Sequence, residues 1–180
     1  MISSHEDTIA GIATAFGEAG VSIIRISGDL ALPLAEKVFK AKSGDPLQQM
    51  RNRILTYGWI ENEGHPLDEV LLCVMRKPHS FTAEDVVEIH CHGGVYLTQV
   101  ILNLVLNAGA RMANPGEFTQ RAFLNGRIDL TQAEATNDLI QAKSLLELDL
   151  VINQLKGKLF RRISALKDQI TWVLALVNAD

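Results

Sequence analysis

From Val86 to His92 apolar and polar side chains alternate. Val87, Ile89 and Cys91 fall on one side, while Glu88, His90 and His92 share the other with Val86. A period of two marks a strand buried on one face. Val21 to Ser27 repeats the pattern: Arg25 shares a face with Ile23, and Ile24 and Ile26 take the opposite one. Asp7 to Thr14 reads as a strand joined to Val21–Ser27 through a hairpin loop, Ala15 to Gly20. Ile54 to Glu61 and Glu69 to Met75 form another pair, turned at Asn62-Glu63-Gly64, and Ala110 to Ala113 gives a short strand. Two helices lie between the strands. One runs from Leu30 to Phe39, with Asp29 as N-cap and Pro33 tolerated in the first turn. The other runs from Tyr96 to Asn107 and is closed by Gly109.

After Glu117 the strand pattern stops. A helix covers Phe118 to Leu124, and another begins at Thr131, where Thr131 and Glu134 make a capping-box pair. Ile152, Leu155, Leu159, Ile163, Leu166, Ile170, Val173 and Val177 then follow one another at spacings of three or four, a sustained apolar seam. Strands first and helices afterwards give an α+β chain with its boundary near residue 118. The seam has few helical neighbours to cover it, and an apolar stripe left in water is a sticky patch. A partner chain, or a further C-terminal part of the protein, is therefore expected over it.

Composition narrows the class. The chain has 180 residues, 47% hydrophobic and 21% charged, with net charge −4 and a pI of about 5.7. That is a globular composition with no basic excess to suggest nucleic-acid binding. Cys73 and Cys91, the two cysteines, lie in apolar strand-like runs and read as core thiols of a reducing, cytoplasmic compartment. Met1 to Asp7 lacks the basic and apolar regions of a secretory signal, and Ile170 to Val177 is too short to span a bilayer, so no membrane partner is expected.

Candidate chemistry is concentrated in three stretches. Arg25 is either an edge-strand arginine reaching solvent by its stem or a cation presented to a ligand or acidic partner. Glu88, His90 and His92 on one strand face have ligand-type side chains, but no second cluster supports a metal, and a polar open face is the commoner reading. His92-Gly93-Gly94 leads into a helix N-terminus, whose amides favour an anion. From Glu117 to Glu134, Arg121, Asn125, Arg127 and Asp129 thread among Phe118, Phe123, Leu124, Ile128 and Leu130, a pattern expected of half-buried, paired groups. Gly157-Lys158-Leu159 is not a Walker A loop, so no nucleotide triphosphate should be bound through a P-loop here. No nucleophile elbow is present and no catalytic residue is assigned.

Several stretches together resemble the tRNA-modifying GTPases of the MnmE (TrmE) family. They are Asp7-Thr8-Ile9-Ala10, Ile24-Arg25-Ile26-Ser27-Gly28, Ser80 to Glu88, His92-Gly93-Gly94, Gly109 to Ala113, and Pro115-Gly116-Glu117-Phe118 through Asp138-Leu139-Ile140. The resemblance implies an aminomethyltransferase-like folate-binding domain over residues 1–118, which also makes a homodimer. Residues 119–180 would be the first part of an all-α domain, with the family's GTPase and terminal cysteine motif outside these residues. It carries folate contacts to Arg25, Glu88 and Arg127, the last at a position where the family usually has lysine. The ligand would be 5-formyl- or 5,10-methylene-tetrahydrofolate. A carboxylate can accept a pterin's adjacent N–H and amino donors, and the arginines suit the formyl oxygen or the anionic glutamate tail. For the full-length protein the resemblance further implies GTP, K⁺ and Mg²⁺, and action with the FAD-dependent MnmG (GidA) on the wobble uridine of tRNA. The loop Thr14 to Gly20 departs from the family by lacking a proline and one glycine. Two other readings stand beside this one: a dimerising module without folate affinity, and a metal-dependent hydrolase built on Glu88, His90 and His92.

Overall fold

A computed structural model describes residues 7–177, without the side chains of residues 158–161 and 176–177. The signal-peptide reading of the first residues and the seam side chains of Leu159 and Val177 lie outside what is described. The chain divides into two compact units, residues 1–118 and 119–180.

The first unit is built on a seven-stranded sheet, ordered β3-β4-β5-β6-β2-β1-β7. Its strands are β1 (Ile9–Ile12), β2 (Ala19–Ser27), β3 (Phe39–Ala41), β4 (Leu55–Asn62), β5 (His65–Met75), β6 (Val86–Gly93) and β7 (Arg111–Met112). Neighbours are antiparallel except β1 and β7, so the sheet is mixed and the chain α+β, as the sequence indicates. Each long strand sends alternate residues to one side. Ile24 and Ile26, Val70, Leu72 and Val74, and Val87, Ile89 and Cys91 are buried there with side chains of α1 (Ala31–Val38) and α2 (Val95–Asn107) in one core cluster. Both helices therefore cover the same face of the sheet. The other face carries Ile23, Arg25, Glu88, His90 and His92.

Two local expectations are corrected. Helix α1 starts one residue later than expected, behind Leu30, which makes no side-chain cap. Asp29 does not cap it and instead pairs with Lys77 at 2.9 Å. The three-residue edge strand β3 runs straight on from α1 and was not anticipated, because three residues are too few to display a period. At the far end of α2, Gly109 has φ +125°, as a closing glycine requires.

The second unit holds α3 (Glu117–Leu124, which begins in the first unit), α4 (Leu130–Gln141), α5 (Leu145–Leu155) and α6 (Lys158–Val177). The cap of α4 is Asp129, not Thr131. Its carboxylate accepts the Gln132 amide at 2.9 Å and the Thr131 hydroxyl at 2.6 Å, while Gln132 returns a bond to the Asp129 amide. Asp wins the cap because an ionised acceptor at a helix N-terminus is favoured by the helix dipole. Gln132 also donates to the Leu155 carbonyl at 2.7 Å, tying the start of α4 to the end of α5. The apolar seam is interrupted: Gly157, at φ +67°, separates α5 from α6. Beyond it Ile163, Leu166, Ile170 and Val173 are each more than half exposed.

Candidate functional site

On the face opposite α1 and α2 the register sets Arg25 of β2 directly across from Glu88 of β6. The Arg25 guanidinium donates through Nε at 2.8 Å and Nη2 at 2.7 Å, both to Oε1 of Glu88. Both side chains are largely shielded, with 24% and 17% exposure, so the attraction is less screened than at an open surface. Two aromatic rings flank the arginine: the Phe81 and Phe118 centroids each lie 5.4 Å from its guanidinium carbon, within cation–π range. On the other side of Arg25 the register places Gly11 of β1. The Phe118 ring packs over this glycine, at van der Waals distance from where a Cβ would stand.

The loop that carries Phe81 is fastened from below. The buried Ser27 hydroxyl shares a 2.6 Å hydrogen bond with Thr82 and donates to the Glu84 carboxylate at 2.7 Å, and the Gly28 amide donates to the Asp85 carbonyl at 3.0 Å. The sequence motif Ser80 to Glu88 thus does two jobs: it supplies Glu88 and it locks an aromatic ring beside that residue's partner.

Farther along β6 the same face opens into a cleft of about 440 Å³ lined by Val21, Tyr57, Glu69, Leu71, His90 and His92 among others. His92 stands at its rim. Its Nδ1 is 2.6 Å from the carboxylate of buried Asp68, which also accepts the His92 amide at 2.9 Å. The hydrogen bond and charge of Asp68 raise the His92 pKa above the usual histidine value. Burial, and then the nearby Glu88 charge, push the Cys73 thiol up, and a hydrogen bond to Glu69 raises the Tyr57 phenol.

The edge-strand reading of Arg25 is overturned, because β2 lies inside the sheet between β6 and β1 and its arginine is paired. Arg25 and Glu88 are brought together. Arg127 belongs to the second unit, on the turn between α3 and α4, where its amide bonds the Ala122 carbonyl at 2.9 Å. In that turn Asn125 and Arg127 are exposed rather than half-buried, as are Phe123 and Leu124; Arg121 alone of the threaded charges is fully buried. Among the described residues no group of three His, Cys, Asp or Glu side chains is disposed to hold a metal. Glu88, His90 and His92 share a face, but His92 turns to Asp68 and Glu88 to Arg25. Sequence reasoning missed Phe81, Phe118 and Asp68, whose roles depend on long-range register. No described helix is long and apolar enough to cross a membrane.

Residues 8–127 match the family described as GTP-binding protein TrmE N-terminus. The tRNA modification GTPases MnmE of Alkaliphilus metalliredigens and Moorella thermoacetica are 51% and 52% identical to the chain over 177 residues, which is 97% of this chain and 38% of each relative. The protein of the same description from Streptococcus mutans is 48% identical over 180 residues, 100% of this chain and 39% of its own. The chain therefore spans little more than a third of the length of these relatives.

Proposed function

Because the chain belongs to the family of TrmE N-termini, whose relatives are named tRNA modification GTPases, we propose that its first unit binds a reduced folate and mediates homodimerisation. In the complete protein the folate, as 5-formyl- or 5,10-methylene-tetrahydrofolate, supplies the one-carbon unit for modifying the wobble uridine of tRNA. GTP hydrolysis with K⁺ and Mg²⁺ and the FAD-dependent partner MnmG complete that reaction outside these residues.

The observation that supports the folate reading is the Arg25–Glu88 pair between two phenylalanine rings, beside a cleft on the face opposite α1 and α2. Oε1 of Glu88 already takes two N–H donors of Arg25. Oε2 is the edge that a pterin's adjacent N–H and amino groups would meet, as charge-assisted hydrogen bonds. This changes the part given to Arg25. Its charge is matched by Glu88, so it orients the carboxylate rather than capturing the ligand's own anion. Arg127, the third contact that the family resemblance carries over, lies in the second unit. The metal-dependent alternative loses its ground with the diversion of His92 and Glu88 to other partners.

The test is calorimetric titration of 5-formyltetrahydrofolate into the parent and two variants, with the oligomeric state measured alongside. Arg25→Ala should weaken binding by roughly tenfold or more, since it leaves Glu88 unoriented and unpaired. Lys40→Ala, on the edge strand β3, should change nothing. A protein that binds no folate, or binds it equally well without Arg25, contradicts the proposal.

A further inference from the structure

Glu88 has a second neighbour that the folate reading leaves without a part. His90 follows it on the same face of β6, and Nε2 of His90 lies 3.7 Å from Oε2 of Glu88. That separation is too long for a hydrogen bond. The nitrogen is nevertheless shut away from solvent and has no hydrogen-bond partner, although buried polar groups in proteins are overwhelmingly satisfied. Arg25 takes up Oε1 from one side, so the histidine stands behind the very oxygen that Arg25 does not engage.

Resting on the folate reading above, we infer that His90 is a positioning residue for Glu88, and that its protonation withdraws Oε2 from the ligand. With a neutral imidazole, Oε2 is held by no side-chain donor and can accept from the pterin edge. A protonated imidazole brings a charged N–H toward the carboxylate, and a small closure of the 3.7 Å gap makes an ion pair. Both oxygens of Glu88 then face protein cations, and the ligand's donors must compete for them.

The other ionisable groups around His90 are few. On β6 itself they are Glu88 and His92; β2 offers Arg25, one register step from Ile23, which lies opposite His90. On β5, Glu69 and Cys73 flank Leu71, which lies opposite His90 on that side, and β4 brings Tyr57 opposite Leu71. The Cys73 thiol and Tyr57 phenol are both raised, away from neutrality. His92, with its carboxylate partner Asp68, is the one neighbour that competes as a source of pH dependence, and a variant separates the two histidines.

The experiment is titration of 5-formyltetrahydrofolate near pH 5.5 and near pH 8 into the parent, His90→Gln and His92→Asn, with thermal melts at both pH values. The parent should bind several-fold more weakly at the lower pH. In His90→Gln the ratio should fall below about twofold, since glutamine does not titrate, while His92→Asn keeps the parent's ratio. His90→Asn carries the same expectation if the melts show His90→Gln to be damaged. An unchanged ratio in the His90 variants, or a ratio abolished by His92→Asn, overturns this inference and leaves the folate reading standing. A parent protein that binds no folate at either pH overturns both.

Discussion

The two faces of the central sheet are made from the same strands and yet are built for different ends. On the covered face Ile24, Ile26, Leu72 and Ile89 are fully buried against α1 and α2. On the other, one residue along each strand, stand Ile23, Arg25, Leu71 and Glu88, partly open, with an ion pair and aromatic flanks in place of aliphatic packing. Ile89 and Glu88 are chain neighbours, but one is buried in the core and the other pairs with Arg25 on the opposite face. A strand needs only one apolar face to be held in a sheet. The alternate positions are then free to carry chemistry at low cost to stability, and the pleat fixes their spacing.

That division can be broken most forcefully from the covered side. Ile89→Ala should destabilise the first unit by about 2–5 kcal/mol, because a fully buried side chain leaves a cavity that the sheet cannot close. Chemical denaturation measures it; a loss below about 1 kcal/mol would mean that the helices do not pack on this face as described. On the open side a lesser change is expected from Phe81→Leu. It keeps bulk beside Arg25 but removes one of two ring faces, so folate affinity should fall by about two- to fivefold, as roughly 0.5–1 kcal/mol of cation–π attraction is lost. Unfolding should barely change. The smallest effect belongs to Asp68 and His92. Asp68 raises the folded-state pKa of His92, so the contribution of this pair is fully present below the unfolded value of about 6.5 and is lost as pH rises through the higher folded value. The melting temperature of the parent should therefore exceed that of Asp68→Asn by more near pH 6 than near pH 9. A difference that grows with pH would reverse the assignment.

The fold's alternation was legible in the sequence because it is local. Val86 to His92 and Val21 to Ser27 display their two faces without reference to anything else, and the structure keeps them. Pairing was not local. Arg25 and Glu88 are 63 residues apart, and only the register of β2 against β6 makes them partners. The same holds for Phe81 and Phe118 around the arginine, and for Asp68 beneath His92. Capping failed for a different reason. Asp29 stands one residue and Thr131 two residues from the observed cap positions, Leu30 and Asp129, and the choice depended on which side chain had a better partner: Lys77 for Asp29, and Asp129 in place of Thr131. The break at Gly157 was hidden because the apolar spacing continues across it. Glycine there adopts a left-handed conformation that a hydrophobic pattern does not register.

The account turns on Glu88, and Glu88→Gln tests it most directly. The variant keeps the size of the side chain but replaces a carboxylate oxygen with an N–H donor that would face the pterin's own donors. Titrated with 5-formyltetrahydrofolate by calorimetry, it should lose roughly 2–4 kcal/mol of binding, about thirtyfold to a thousandfold in affinity. It should still melt as a folded protein, because Glu88 lies on the face that the core does not use. If Glu88→Gln binds the folate as tightly as the parent, the carboxylate does not read the ligand, and the face opposite α1 and α2 is not the folate site in the form proposed.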